Sequence, residues 1–475
     1  MDILLAHAYY LYDDPHELQV MKPYPPLGIL YLSSYLRARG FAVGVFDSTF
    51  STLQAFEAQI ARERPGVVGL YVNLMTKFAA LRMIAIARAH GAIVVLGGPE
   101  PASYAGEYLR RGAHIVVRGE GETALERLLP HLARHGMQAL DTLPGLSFMG
   151  DEGVITTPDA PFIADLSANP WPDREAIDIP AYMETWRTHH GSSSVSVIHA
   201  RGCPYTCTWC SHSVYGTTHR RRTPEDAANE LLWIHERYNP DRIWYADDVF
   251  AINHRWLFEY KAALEKRGLR IPFECISRAD RLNEPVVAAL AEMGCFRLWN
   301  GSESGSQRIL DAMKRRVSAD DVQARTHLLQ QHGIETGMFI MLGYEGEELR
   351  DLEETVAHLR KANPDVFLTT VAYPIKGTPY YHEVEDRLLA DRPWEARSDR
   401  DLLIRGRRTR RFYRFATRWM VSEVALHRAR TRAPQPLIRR VKLAASATIG
   451  RAGMWLTQHQ RVRPGKGLYA VRAEP

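Results

Sequence analysis

Arg201-Gly202-Cys203-Pro204-Tyr205-Thr206-Cys207-Thr208-Trp209-Cys210 holds three of the chain's five cysteines within eight residues. The spacing is C-x3-C-x2-C, and it follows directly on Ser194–His199, an apolar run that reads as a strand. Thiolates are soft ligands suited to iron–sulfur clusters, and a cubane cluster normally takes four. Three close cysteines leave one iron open, as catalysis at a metal requires. Zinc is the competing reading. Its knuckles space ligands as C-x2-C pairs and need a fourth ligand, which His212 or His219 would supply. An odd, clustered set of cysteines argues against a disulfide framework and for a metal or redox site in a reducing compartment. Cys275 and Cys295 stand apart, in or beside strand-like runs, and read as buried structural cysteines.

Downstream of the cysteines, residues 191–375 alternate strand and helix patterns. Arg242–Ala246, Pro272–Ile276, Phe296–Asn300, Thr336–Met341 and Val366–Val371 are the further strands, with helix-length segments such as Pro224–Tyr238 and Leu349–Ala362 between them. Six βα units predict a full or partial βα barrel, with chemistry at the strand C-termini. Upstream, residues 1–135 carry five strand-like runs, Ile3–Ala6, Ala42–Phe46, Gly66–Tyr71, Ala92–Leu96 and His114–Val117. Helical patterns separate them, so a small doubly wound parallel sheet is expected, with its ligand beyond the strand C-termini. Residues 136–190, rich in Pro, Asp and Gly, read as a linker. Residues 376–475 read as helices ending in a strand-like tail.

At 475 residues, with 45% hydrophobic and 24% charged, the composition excludes wholesale disorder and collagen. The opening MDILLAHAYYLYDD has neither the basic nor the apolar region of a signal peptide, and no run of 18 apolar residues occurs, so a cytoplasmic setting is expected. The net charge of +5 conceals an asymmetry. Residues 401–475 hold 18 Lys and Arg against 3 Asp and Glu, whereas the first 400 residues hold 42 against 52. Arg405, Arg407, Arg408, Arg410, Arg411, Arg414 and Arg418 interleave with Phe412, Tyr413, Phe415 and Trp419. This pattern suits a helical lid pairing with the acidic body, an anionic substrate, an anionic or lipid surface, or nucleic acid. Leu443–Leu456, in a basic frame, fits a surface-lying helix.

Taken in order, several motifs resemble the radical S-adenosylmethionine enzymes that carry an N-terminal cobalamin-binding domain. They are PPLGILYLSSYLRARG (25–40), VVLGGPEPASY (94–104), VVRGEGE (116–122), RGCPYTCTWC (201–210) and YADDVF (245–250). ISRAD (276–280), NGSESGSQRILDAMKR (300–315), FIMLGYEGE (339–347) and YPIKGTPYY (373–381) continue the series. The resemblance implies an α/β fold: a Rossmann-like cobalamin-binding domain at 1–135, a linker at 136–190, a radical partial (β/α)6 barrel at 191–375 and a basic helical C-terminal extension at 376–475. It implies that Cys203, Cys207 and Cys210 bind [4Fe–4S] and that the open iron chelates S-adenosylmethionine, whose cleavage gives a 5′-deoxyadenosyl radical.

By motif position, Trp209 would approach the adenine, Asp247 and Asp248 the ammonium, and Arg278 the methionine carboxylate. Ser302 and Glu303 would meet hydroxyl or amine groups, and Gly343 would allow close backbone approach. Asn73, Thr76, Gly97, Gly98, Pro99, Glu100, Gly119, Glu120 and Gly121 would border cobalamin. The family's histidine-ligated members carry D-x-H-x-x-G, whereas here Asp14-Pro15-His16-Glu17-Leu18-Gln19 has Gln for Gly. His16 therefore reads as a loop histidine rather than an axial cobalt ligand.

The expected activity is methylation of an unactivated carbon in a small-molecule or lipid-linked substrate. An external donor such as flavodoxin or ferredoxin would supply electrons, and the basic tail would allow peripheral membrane contact. The alternatives are radical ring formation or oxidation without methyl transfer, as in the magnesium-protoporphyrin cyclase-like branch, and, from another class, a zinc-containing nucleic-acid-binding protein.

Overall fold

The computed structural model describes residues 1–432, 435–465 and 467–471. Buried β-branched runs build two parallel sheets, as the strand–helix rhythm predicts. The first contains β1 (Ile3–His7), β2 (Val43–Phe46), β3 (Val67–Tyr71), β4 (Ile93–Gly97) and β5 (Ile115–Val117), ordered β2-β1-β3-β4-β5 and all parallel. Leu5 sits in register with both Val45 and Gly69. The strand order reverses beside β1, which opens a crevice at the carboxyl ends of the strands. Part of the stretch read as a linker belongs to this sheet. β6 (Leu146–Gly150) and β7 (Gly153–Thr156) form a hairpin that pairs antiparallel with β5. Two strands this short, framed by turn residues, carry too little alternation for sequence periodicity to reveal the pairing.

The second sheet begins at β8 (Ser194–Val197). A short antiparallel pair, β9 (Ala200–Arg201) and β10 (Arg220–Arg221), then brackets the cysteine loop. β11 (Arg242–Tyr245), β12 (Phe273–Ser277), β13 (Cys295–Glu303), β14 (Glu335–Leu342) and β15 (Val366–Val371) complete an all-parallel sheet ordered β15-β14-β13-β12-β11-β8. With β8 and β15 as its edges it is a partial (β/α)6 barrel. Local chemistry sets the helices: Thr223, Asn253, Asn283 and Ser318 each accept a backbone N–H at a helix start. Cys275 and Cys295 are buried in the barrel core with Phe273 and Leu298.

The extension forms a small sheet of β16 (Leu388–Ala390), β17 (Leu403–Ile404) and β18 (Tyr469–Ala470), followed in space by two helices, Arg410–Thr431 and Leu437–Thr457. Phe412, Ala416, Met420 and Val424 pack against Met338, Ile340, Leu352 and Val356 of the barrel. Apolar burial attaches the arginine-rich helix, and an ion pair from Arg432 to Asp365 at 2.8 Å ties its end to the barrel. Among the described residues no helix is long and apolar enough to cross a membrane.

Candidate active site

The cysteine loop leaves β9 at Gly202, where φ is +84° and a Cβ would lie 2.5 Å from the Thr218 carbonyl oxygen. Only glycine fits there. Beyond it Cys203, Cys207 and Cys210, none in a disulfide, line one cavity of about 200 Å³ with Trp209, Asp248, Arg278 and Glu303. The Arg278 guanidinium stacks 3.6 Å from the Tyr205 ring centroid and places Nη1 3.9 Å from Cys207 Sγ. It also donates to Asp280 Oδ1 at 2.8 Å and to the Arg315 carbonyl at 2.9 Å. Burial pushes the Cys203 and Cys207 thiols up, while Arg278 pulls Cys207 down. Thiols held beside a cation and away from water ionise when a soft metal centre takes them.

Among the described residues, no three His, Cys, Asp or Glu side chains close into a single-ion site. Of the two histidines in the zinc reading, His212 lines the cysteine cavity, whereas His219 turns aside, with Nδ1 3.3 Å from the Gly202 carbonyl oxygen and its ring on a separate cavity. Three unpaired cysteines facing one cavity fit a cluster with an open position better than a closed zinc tetrahedron.

Glu303 reaches the cavity because β13 bulges between Gly301 and Glu303 and Glu303 takes a φ of +63°. Burial pushes its carboxyl up to about 8, against the pull of Arg278. Three expected S-adenosylmethionine contacts lie elsewhere. Asp247 is buried beneath the loop: its Oδ1 accepts from His199 N at 2.7 Å and Ala200 N at 2.9 Å, and Arg221 takes its other oxygen. It braces the strand that feeds the cysteines, and its neighbour Asp248 is the carboxylate in the cavity. Ser302 alternates to the opposite face of β13 and shares a 2.9 Å hydrogen bond with His358 Nε2. Gly343 donates to Glu347 Oε2 at 2.7 Å and is packed under Arg407 and Tyr413 of the extension. Tyr205 and Arg315, which motif position did not single out, also stand on this wall. Both fall inside motifs quoted above, but only folding brings them together.

A second cavity lies at the carboxyl ends of β1, β3, β4 and β5, under the barrel's first loop. Gly97, Gly98, Gly119, Glu120 and Gly121 line it. Gly98 has φ +107°, and a Cβ there would collide with the Val72 carbonyl. At Gly97 a Cβ would meet nothing within 4 Å, so bare backbone faces the space. Gly28, Gly69, Tyr71, Ile198, Val214 and Tyr215 complete the wall, a set legible only once the two sheets face each other. Its charged groups satisfy one another, for Arg201 binds Glu120 at 2.7 Å and Glu122 at 2.5 Å. A slot of apolar side chains and glycine backbone fits a flat, largely apolar ring such as the nucleotide base of cobalamin.

Four expected residues do not line this slot. Asn73 and Thr76 close on each other at the start of helix Lys77–Ala89: Asn73 Oδ1 accepts from Thr76 N at 3.1 Å, and Thr76 Oγ1 from Asn73 N at 2.9 Å. The Pro99 carbonyl accepts from Ser213 Oγ at 3.1 Å. Glu100 is buried with Tyr108 and with Lys77 at 3.7 Å. His16 is 80% exposed and borders none of the cavities described here.

Residues 19–129 match the model of the B12 binding domain, and residues 197–359 that of the Radical SAM superfamily. The chain is 27% identical over 382 residues to an uncharacterized methyltransferase of Pyrococcus horikoshii, covering 78% of this chain and 81% of that protein. It is 24% identical over 375 residues to the anaerobic magnesium-protoporphyrin IX monomethyl ester cyclase of Synechocystis, covering 76% and 73%. Its fold is similar to that of the cobalamin-dependent S-adenosylmethionine radical enzyme OxsB, with a TM-score of 0.75 at 18% identity, over 96% of this chain and 72% of that one. With a cysteine cavity on one domain and a glycine-walled slot on the other, the chain belongs to the radical S-adenosylmethionine enzymes that carry a cobalamin-binding domain.

Proposed function

We propose that the protein methylates an unactivated carbon of a small-molecule or lipid-linked substrate by cobalamin-dependent radical chemistry. One observation carries this reading: the segment 198–215 lines both cavities. Cys203, Cys207, Cys210 and His212 face the first, and Ile198, Arg201, Val214 and Tyr215 the second. A substrate lodged along this segment borders both. When bound, the cluster with S-adenosylmethionine supplies a hydrogen-abstracting radical, and the corrin supplies the methyl group.

The chain's own residues hold and orient. Trp209 offers a ring for adenine to stack on. Asp248 offers an acceptor for an ammonium. Glu303, protonated at neutral pH, offers both a donor and an acceptor to hydroxyl groups. Arg278 keeps positive charge beside Cys207. An external flavodoxin or ferredoxin is the proposed electron source. Exposed Leu437, Ile438, Trp455 and Leu456 on the last long helix support contact with a lipid surface, which co-sedimentation with anionic vesicles would detect.

The decisive experiment is anaerobic reconstitution of the full chain with iron, sulfide and cobalamin, followed by mass spectrometry of products from candidate substrates. Methylated product with both S-adenosylhomocysteine and 5′-deoxyadenosine is expected. Unmethylated product with 5′-deoxyadenosine alone would replace this reading by ring formation or oxidation.

A further inference from the structure

A third cavity, of about 400 Å³, opens where the end of β15 meets the C-terminal extension. Among the described residues, five arginines line it, Arg400, Arg407, Arg408, Arg410 and Arg414, and no Asp or Glu does. The nearby ion pairs involve other arginines: Arg392 with Asp401, Arg432 with Asp365 and Arg451 with Glu353. Among the described residues, none of the five has a carboxylate partner. Three are held by backbone carbonyls instead: Arg407 Nη1 by Ala372 at 2.6 Å, Arg408 Nη1 by Glu347 at 2.6 Å and Arg410 Nη2 by Asp401 at 2.9 Å. Among the described residues, that tethering leaves Nε and Nη2 of Arg407, and Nε of Arg408, buried with no partner beyond the Tyr413 hydroxyl beside Arg407. Glu347, whose field reaches Arg407, has its carboxyl pushed up to about 8 by burial, so it cancels little of their charge at neutral pH.

Buried guanidinium donors without partners are costly unless an acceptor fills the space. Their forked geometry matches the oxygens of a phosphate group. Tyr373, Tyr413 and Leu402 add aromatic and apolar wall for the body of the same ligand.

We propose that this cavity is a binding site for a phosphorylated ligand, with Arg407, Arg408 and Arg414 grasping the phosphate oxygens. The phosphate belongs either to the enzyme's own substrate or to a separate phosphorylated ligand. The site stands whether or not the reaction is methylation, because it rests on residues outside both cofactor cavities.

Calorimetric titration of the reconstituted full chain with inorganic pyrophosphate tests it. Saturable, salt-sensitive binding is expected, with Arg414→Gln weakening it about tenfold, as loss of one charge-assisted contact does. Arg411→Gln, one residue from Arg410 but off the cavity wall, leaves it within about twofold. Arg407→Gln also removes the tie to Ala372; if that variant fails to fold, the exposed Arg414 still decides the outcome. No binding at millimolar pyrophosphate, or equal losses in Arg414→Gln and Arg411→Gln, overturns the proposal. During turnover, competition between pyrophosphate and substrate assigns the site to the substrate's own phosphate. Binding without competition assigns it to a separate phosphorylated ligand.

Discussion

Arg201→Met probes what joins the barrel to the cobalamin-binding sheet. Arg201 is 6% exposed, and its guanidinium meets Glu120 Oε1 at 2.7 Å and Glu122 Oε1 at 2.5 Å. Both carboxylates are themselves only 4% exposed. Glu120 keeps other partners when Arg201 is lost, because Arg220 Nη1 and Ile163 N each donate to its Oε2 at 2.7 Å. Glu122 loses its only side-chain partner among the described residues. A buried charge stripped of its partner costs about 3–5 kcal/mol. At roughly 2–4 °C per kcal/mol for a domain of this size, the melting temperature should fall by about 6–20 °C. Circular dichroism melts of the full chain provide the assay. Arg201→Met/Glu122→Leu removes the stranded charge as well and should recover most of the loss. If the single variant melts within about 2 °C of the wild type, or the double is no better, buried charge pairing does not tie the domains together.

Gly97→Leu places a side chain in the slot from a position where a Cβ meets nothing within 4 Å. Hydroxocobalamin binding, followed by absorbance, should weaken about tenfold or more while the melting temperature holds. Cys207→Ala should abolish 5′-deoxyadenosine formation and lower the iron content after reconstitution; retained formation would refute the cluster assignment. Glu347 titrates at about 8 when folded, against an ordinary value near 4.5. The folded state therefore holds the extra proton, and stability should fall as pH rises from about 4.5 to about 8, at up to about 1.4 kcal/mol per pH unit. Glu347→Gln should flatten that slope in urea titrations; an unchanged slope would show that the group does not carry it.

Local patterns made much of the fold legible. The helices Pro224–Tyr238 and Leu349–Ala362 fall where periodicity places them, because their ends are written in nearby residues such as Thr223 before Pro224, Asn239 and Asn363. The shared cavity of the three cysteines was legible because they lie within eight residues. The other site residues were harder to read. Adjacent residues on a strand point to opposite faces, so motif position alone did not separate Glu303 from Ser302, and the turn after β11 likewise split Asp248 from Asp247. At the slot, Gly97 and Gly119 line the cavity, whereas Asn73 and Thr76 spend their polar groups on a local cap that sequence position does not disclose.

The sequence by itself determined the two α/β units, the clustered cysteines and the basic character of the last 75 residues, because each is set by residue type and short-range spacing. Tertiary structure alone decided which residues share a cavity. One loop borders both the cysteine cavity and the glycine-walled slot, Arg201 joins Glu120 and Glu122 across the domains, and, among the described residues, five arginines of the extension surround a space of their own without carboxylate partners. Such groupings depend on how separated elements pack, and packing brings together residues that no local pattern connects.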